Sequence, residues 1–446
     1  MACELVATAY RELAATVRCG GEALGAEGVV VDDAGEARSI GARARMIRRR
    51  RGSSLVVVAG LAGITKQYLS ALERGQRGFN RRGLIEDLAN ALGCSVADLT
   101  GVPYSPPDRR TMEALGALPA VSVALHECSL VDCPDVPARP VEQLAALVVD
   151  ANRHCDETRY DLAGRDLGAV LTELYVHVIS GPPDVRRAAL VALTEACIVA
   201  SGIARPLGHG ELSTLAARRA TEAAALIGRP ELVALTGMQR VGALVRLGAR
   251  HRARAVLLDA LSTAEPHADP SAADTGPAEG YGMLHLSGAQ VAAREGRAAD
   301  AETHLSEARQ LAEITGERNA YRYHFGPANV NAWSLAIAVE LERGPSVAET
   351  LDTSPATFAA LGSADRRAGF HLDLSRAYAQ SGGDRDHVAL RHLDTADRIA
   401  PQRIRNDPIA QDVVLTLDRR APRRVWELDA LRHRFGMGGR PALTLG

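Results

Sequence analysis

With 446 residues, 46% of them hydrophobic and 24% charged, and a net charge of −2, the chain is too long for one core and ordinary in composition for a globular protein. Seven cysteines make an odd count at irregular spacings, which excludes a disulfide framework and leaves reduced thiols in helices as the expectation. The longest apolar run, Leu55 to Ala62, falls well short of the roughly 20 residues a membrane helix needs, and Glu4 and Arg11-Glu12 interrupt any secretory signal, so a cytoplasmic location without membrane contact is expected.

Residues 3–18 read as a short amphipathic helix with Leu5, Ala9, Leu13 and Val17 on one face, and Gly- and Asp-rich sequence links it onward, so that 1–37 form an N-terminal helix and linker. From Arg38 to Arg110 the chain carries fourteen Arg or Lys against five acids, a net +9 that leaves the rest near −11. A basic module beside an acidic body is the electrostatic footprint of nucleic-acid binding.

Within that module, 38–102, the apolar spacing predicts five helices. Ile40, Ala44 and Ile47 mark the first, which ends in Arg48 to Arg51. Ser53 or Ser54 caps the second, which runs to about Ala62 and buries Val58 and Leu61. Gly63 turns the chain, Ile64 fills the core, and Thr65 caps a third helix from Lys66 to Arg74, ended by Gly75. Two more follow at Arg82–Leu92 and, after Ser95, at Val96–Leu99. Two helices joined by a short Gly-containing turn, the second presenting polar residues, form a helix-turn-helix.

Prolines 103, 106 and 107 mark a linker over 103–110. From 111 to 422 helix follows helix, and three segments share one template: Gly248…Ala253…Leu257…Ala260, Gly296…Ala301…Leu305…Ala308 and Gly382…Ala389…Leu393…Ala396…Pro401, with a weaker copy about Gly344. Small residues let paired helices approach closely, Leu fills the gap to the next pair, and Gly makes the turn. Residues 423–446 are expected as a C-terminal tail. The fold expected is therefore all-α: an N-terminal five-helix domain followed by a solenoid of stacked helix pairs with a concave face.

The stretch built of Ile40-Gly41, Ala59 to Thr65, Tyr68-Leu69-Ser70, Leu72 to Gly75 and Leu88 to Gly93 resembles the XRE (lambda- and 434-repressor-like) helix-turn-helix family over about 60 residues. The resemblance implies that the third helix enters the major groove of a double-stranded DNA operator. Carried over by position, Lys66, Gln67 and Ala71 face bases, while Ser54, Thr65, Tyr68 and Ser70 touch backbone. Arg49, Arg77 and Arg81, with neighbouring arginines, are expected on phosphates. Lys66 is the only lysine in the chain. Leu55 departs from the family, which usually has Gln there, and the run Leu55–Val58 is more apolar than an exposed face should be. That suggests a cover from helix 3–18 or a partner subunit.

The Gly-turn template resembles the tetratricopeptide repeat, with a spacing longer than that family's. The combination resembles peptide-responsive regulators of Gram-positive bacteria and a broad actinobacterial group. It implies a homodimer whose repeats sense a signalling peptide or small molecule. The ligand residues expected are Tyr323, Asn329 and Asn331 in an aromatic-rich stretch, with Gln290 and Arg376 at inner-helix positions. The alternative is an interaction protein whose repeats recruit a protein partner, with DNA binding as anchor. No phosphate loop, nucleophile elbow or metalloprotease helix occurs in the sequence, so no enzyme, catalytic residue or cofactor is expected. His126-x-Cys128-x4-Cys133 with His154-Cys155 offers zinc-type ligands without the paired close spacing of a finger or ribbon, so no metal is expected.

Overall fold

The computed structural model describes residues 39–101, 108–320, 322, 324–423 and 425–437. The expected helix 3–18 and its linker, Tyr323, most of the 103–110 linker and residues 438–446 lie outside the described residues. Every regular element among the described residues is helical.

The first five helices are α1 (Ile40–Arg50), α2 (Leu55–Leu61), α3 (Lys66–Glu73), α4 (Arg82–Leu92) and α5 (Val96–Thr100). Each start but one is fixed locally. Ser39, Ser54 and Thr65 accept the amide hydrogens of Ala42, Val57 and Tyr68, and Ser95 forms a capping box with Asp98. The exception is α4, whose first flanking residue, Arg81, gives no side-chain cap. Ile40, Ala44, Val58, Leu69, Leu72, Leu84, Leu88 and Leu99 fill the core between them. Leu61, expected inside, is instead 69% exposed: α2 is only two turns long, and its buried residues are Val58 and Ala59 alone.

The body continues with α6 (Arg109–Glu127), α7 (Val141–Asp156), α8 (Tyr160–Ala163), α9 (Leu167–Ser180), α10 (Pro183–Ala204), α11 (Gly210–Ile227), α12 (Pro230–Arg246) and α13 (Arg250–Ala264). Then come α14 (Gly276–Arg294), α15 (Ala298–Thr315), α16 (Pro327–Glu340), α17 (Gly344–Thr350), α18 (Pro355–Ala360) and α19 (Ala364–Ala379). The last are α20 (Asp386–Ile399), α21 (Pro401–Ile404), α22 (Pro408–Arg420) and α23 (Trp426–Arg434). The stretch expected as a tail thus carries a helix, held by buried Leu428 and Leu431. By length and composition α10 could cross a membrane, but two thirds of its apolar window is buried against its neighbours, as in a core helix.

Neighbouring helices pack in pairs, α12 on α13, α14 on α15 and α19 on α20. Between them Gly248, Gly296 and Gly382 hold φ of 78°, 73° and 82°, a left-handed turn that side chains disfavour. The template alanines and leucines, Ala253, Leu257 and Ala260 and their counterparts, are all buried. The first helices of each pair, α12, α14, α16, α19 and α22, also touch one another in sequence and form an inner row. The row curls back on the start of the body, where the Tyr160 amide donates to Gln402 Oε1 at 3.0 Å.

Candidate nucleic-acid interface and central cavity

Residues 38–446 form one compact unit in which the five-helix module is docked on the body. Its core is continuous with that of the last helices: Phe79, Leu84 and Leu88 belong to the same buried cluster as Ala410, Val413 and Leu417. Gly78 and Gly83 allow the approach, since a Cβ on either would meet Thr416 Oγ1 at 2.5 Å or the Arg294 carbonyl at 2.7 Å.

Over this apolar contact lies a polar clamp. The Phe79 amide donates to Asp412 (2.6 Å), and Arg376 donates to the Asn80 carbonyl at 2.7 and 3.1 Å. The amides of Arg82 and Gly83, at the start of α4, donate to the two oxygens of Glu340 at 3.1 Å each. A carboxylate from the body thereby supplies the cap that α4 lacks, at the helix end where negative charge is stabilised. Burial alone would push the Glu340 carboxyl up, but Arg376, Arg294 and the two amides outweigh it and hold it below the usual carboxylate range. Arg82 pairs with Asp407 (2.8 Å), Glu86 with both Arg250 (2.8 Å) and Arg294 (2.7 Å), and Asp87 with Arg250 (2.7 Å).

The start of α3 is open. Lys66, Gln67 and Thr65 are exposed at the start of α3, with exposed Ser54 at the start of α2 nearby in sequence. Ser70 and Ala71 are half-buried, and Tyr68 packs beneath the Arg77 guanidinium, 5.7 Å from its ring centre. Arginines 49, 50, 74 and 77 of the module are exposed as well. Other expected phosphate contacts are engaged within the chain. Arg81 pairs with Glu342 (2.9 Å), Arg48 with Glu73 (2.6 Å), and Arg51 donates to the Gly93 carbonyl (2.8 Å). The body leaves the apolar face of α2 uncovered: Val56 and Val57 are 60% and 55% exposed.

Inside the curl of the inner row lies a cavity of about 1240 Å3. Its lining repeats at helical spacing along the row, for example Gly242 and Arg246 on α12, Gln290 and Arg294 on α14, Asn329, Trp333 and Glu340 on α16 and Gly369, Asp373 and Arg376 on α19. Gln290 and Arg376, expected from the repeats, and Asn329, expected from the aromatic-rich stretch, therefore line one space. Asn329 is buried with its Nδ2 3.7 Å from Met283 Sδ. Arg376, paired with Glu340 and Asp373 at 2.6 Å each, serves the clamp. Asn331 does not line the cavity, and its carbonyl accepts from Ser334. Sequence reasoning missed Arg246, although it and Arg294 both fall two residues before a turn glycine, Gly248 or Gly296. No group of three metal-type ligands is assembled among the described residues, and Cys94, Cys128, Cys133, Cys155 and Cys197 are free thiols.

Residues 39–100 match a family model described as a helix-turn-helix domain. With the short α2–α3 turn and the exposed start of α3, this marks the chain as a DNA-binding regulator with an all-helical body. No curated protein and no solved structure matches the chain.

Proposed function

We propose that the chain is a cytoplasmic transcriptional regulator of the XRE type with a tetratricopeptide-like body, acting as a homodimer on a two-fold DNA operator. It binds DNA through α3, and its body takes up a peptide or small ligand in the central cavity. It performs no catalysis. The observation that carries this reading is the overlap of two sets of residues: Arg82, Glu86, Arg294, Glu340 and Arg376 clamp the DNA-binding module and also line the cavity. A ligand there would touch the contacts that orient the module. It would regulate DNA binding to the extent that it favours one arrangement of the two modules over another.

In this reading Gln67 suits an adenine edge and Lys66 a guanine edge. The test is mapping of bound DNA followed by binding assays on the operator found. Lys66→Ala with Gln67→Ala should relax sequence preference, by about 1–3 kcal/mol of discrimination per lost bidentate contact, with little change in affinity for unrelated DNA. Equal loss on all sequences would sink the base-contact assignment.

A further inference from the structure

One arginine in the cavity faces mainly other arginines. Arg246, at the end of α12, lines the central space and has no carboxylate within 4.0 Å among the described residues. Its charged surroundings are mostly of its own sign: Arg205, Arg294, Arg82 and Arg403. Asp365, an acid that feels its charge, is already bracketed by Arg403 at 2.9 Å and Arg205 at 3.9 Å. Arg294 and Arg82 are turned to Glu86 and Asp407 of the clamp. An arginine crowded by arginines destabilises the empty protein, and burial together with those neighbours depresses its proton affinity.

Two other residues of the lining, Arg294 and Tyr160, each hold a buried polar atom that lacks a partner among the described residues. Arg294 is 7% exposed and its Nε makes no hydrogen bond, and the hydroxyl of Tyr160, which is 1% exposed, makes none either. The cavity is not uniformly basic: Asp156 and Glu195 also line it, but burial raises both carboxyls, and the arginines that act on them are Arg322 and, for Asp156, Arg366. Trp333 and Leu235 add apolar wall.

We propose that the cavity is an anion-binding site centred on Arg246, taking a small organic molecule through a carboxylate or phosphate group. A guanidinium presents a planar fork of donors that matches either group. The site deepens the reading of the body as a ligand receiver and rests on it. Its test contains no DNA, so failure here is distinct from failure of the operator assays.

The experiment is thermal unfolding and calorimetry of the full chain with citrate and with pyrophosphate at about 10 mM. The wild type should gain about 2 °C or more with at least one anion. Which of the two acts tells carboxylate from phosphate. Arg246→Gln should abolish the gain while unfolding no earlier than wild type without anion, because it removes an unpaired charge. Arg246→Lys should retain part of the gain, and Arg254→Gln, on the exposed side of α13, all of it. The proposal is overturned if neither anion stabilises the wild type, if Arg246→Gln responds like wild type, or if Arg246→Gln without anion is markedly destabilised.

Discussion

Helices α3 and α4 are consecutive, and yet they are made stable in opposite ways. The start of α3 is closed by its own Thr65, three residues from the amide it serves. The start of α4 is closed by Glu340, 258 positions further along the chain. The first helix is self-sufficient and turns its polar start outward. The second is completed by the body and turns inward. A reading surface can thus remain free on one side of the module while the other is held in register by charge pairs and a shared core.

Removing the long-range cap should have the largest effect. Glu340→Ala leaves Arg376 buried beside Asp373 alone and the amides of Arg82 and Gly83 uncapped. Loss of one partner from a buried charge network costs about 3–5 kcal/mol, so the denaturant midpoint should fall sharply. A midpoint near that of wild type would break the comparison by showing α4 to be as self-sufficient as α3.

The second test is pH. Residues 39–101 contain no histidine, whereas the body holds two histidine pairs, His285 with His304 and His371 with His392, each joined Nδ1 to Nδ1 at 3.0 Å. Such a bond needs one nitrogen to donate and the other to accept, so a doubly protonated pair would break it. Burial, then the partner ring, lowers His285 and His371 to about 4 from an ordinary 6.5. The folded state therefore refuses protons that the unfolded chain accepts. The stabilisation is fully present above pH 6.5 and is lost as pH falls towards 4. Asp156 works the other way, since burial and Asp365 raise it to about 6, and offsets part of the loss. We expect roughly 1 kcal/mol lost per pair, read as a falling unfolding midpoint. His285→Asn combined with His371→Asn should flatten that fall, and an unaltered profile would count against it.

The smallest effect belongs to the local cap. Thr65→Ala should cost about 1 kcal/mol of stability, measured by the same unfolding midpoint, and leave the contacts at α4 intact. A loss as large as that of Glu340→Ala would erase the distinction between the two helices.

The same distinction explains what was legible in the sequence. The five helices of the module are readable to within about a residue because Ser54, Thr65 and Ser95 announce starts next to the amides they cap. The repeat glycines announce the turns of the body and through them Gln290 of the cavity, while the aromatic-rich stretch points to Asn329. What was hidden depends on distant partners. Arg81 and Arg48 look like phosphate contacts until Glu342 and Glu73 are seen beside them, and Arg376 looks like a ligand contact until Glu340 and Asn80 are in place. Leu61 departs from expectation because helical spacing says which residues share a face, not where the neighbouring helices stop.

The cap of α4 also sets an order of events during synthesis. A growing chain presents Arg82 and Phe79 long before it contains Glu340, and Asp412 arrives 333 residues after Phe79. The module leaves the ribosome before the body, but its docked form requires the chain as far as Asp412. A product cut short before α16 lacks both carboxylates and therefore the docked arrangement. The orientation of the reading helix is in this sense a report that synthesis has passed Asp412.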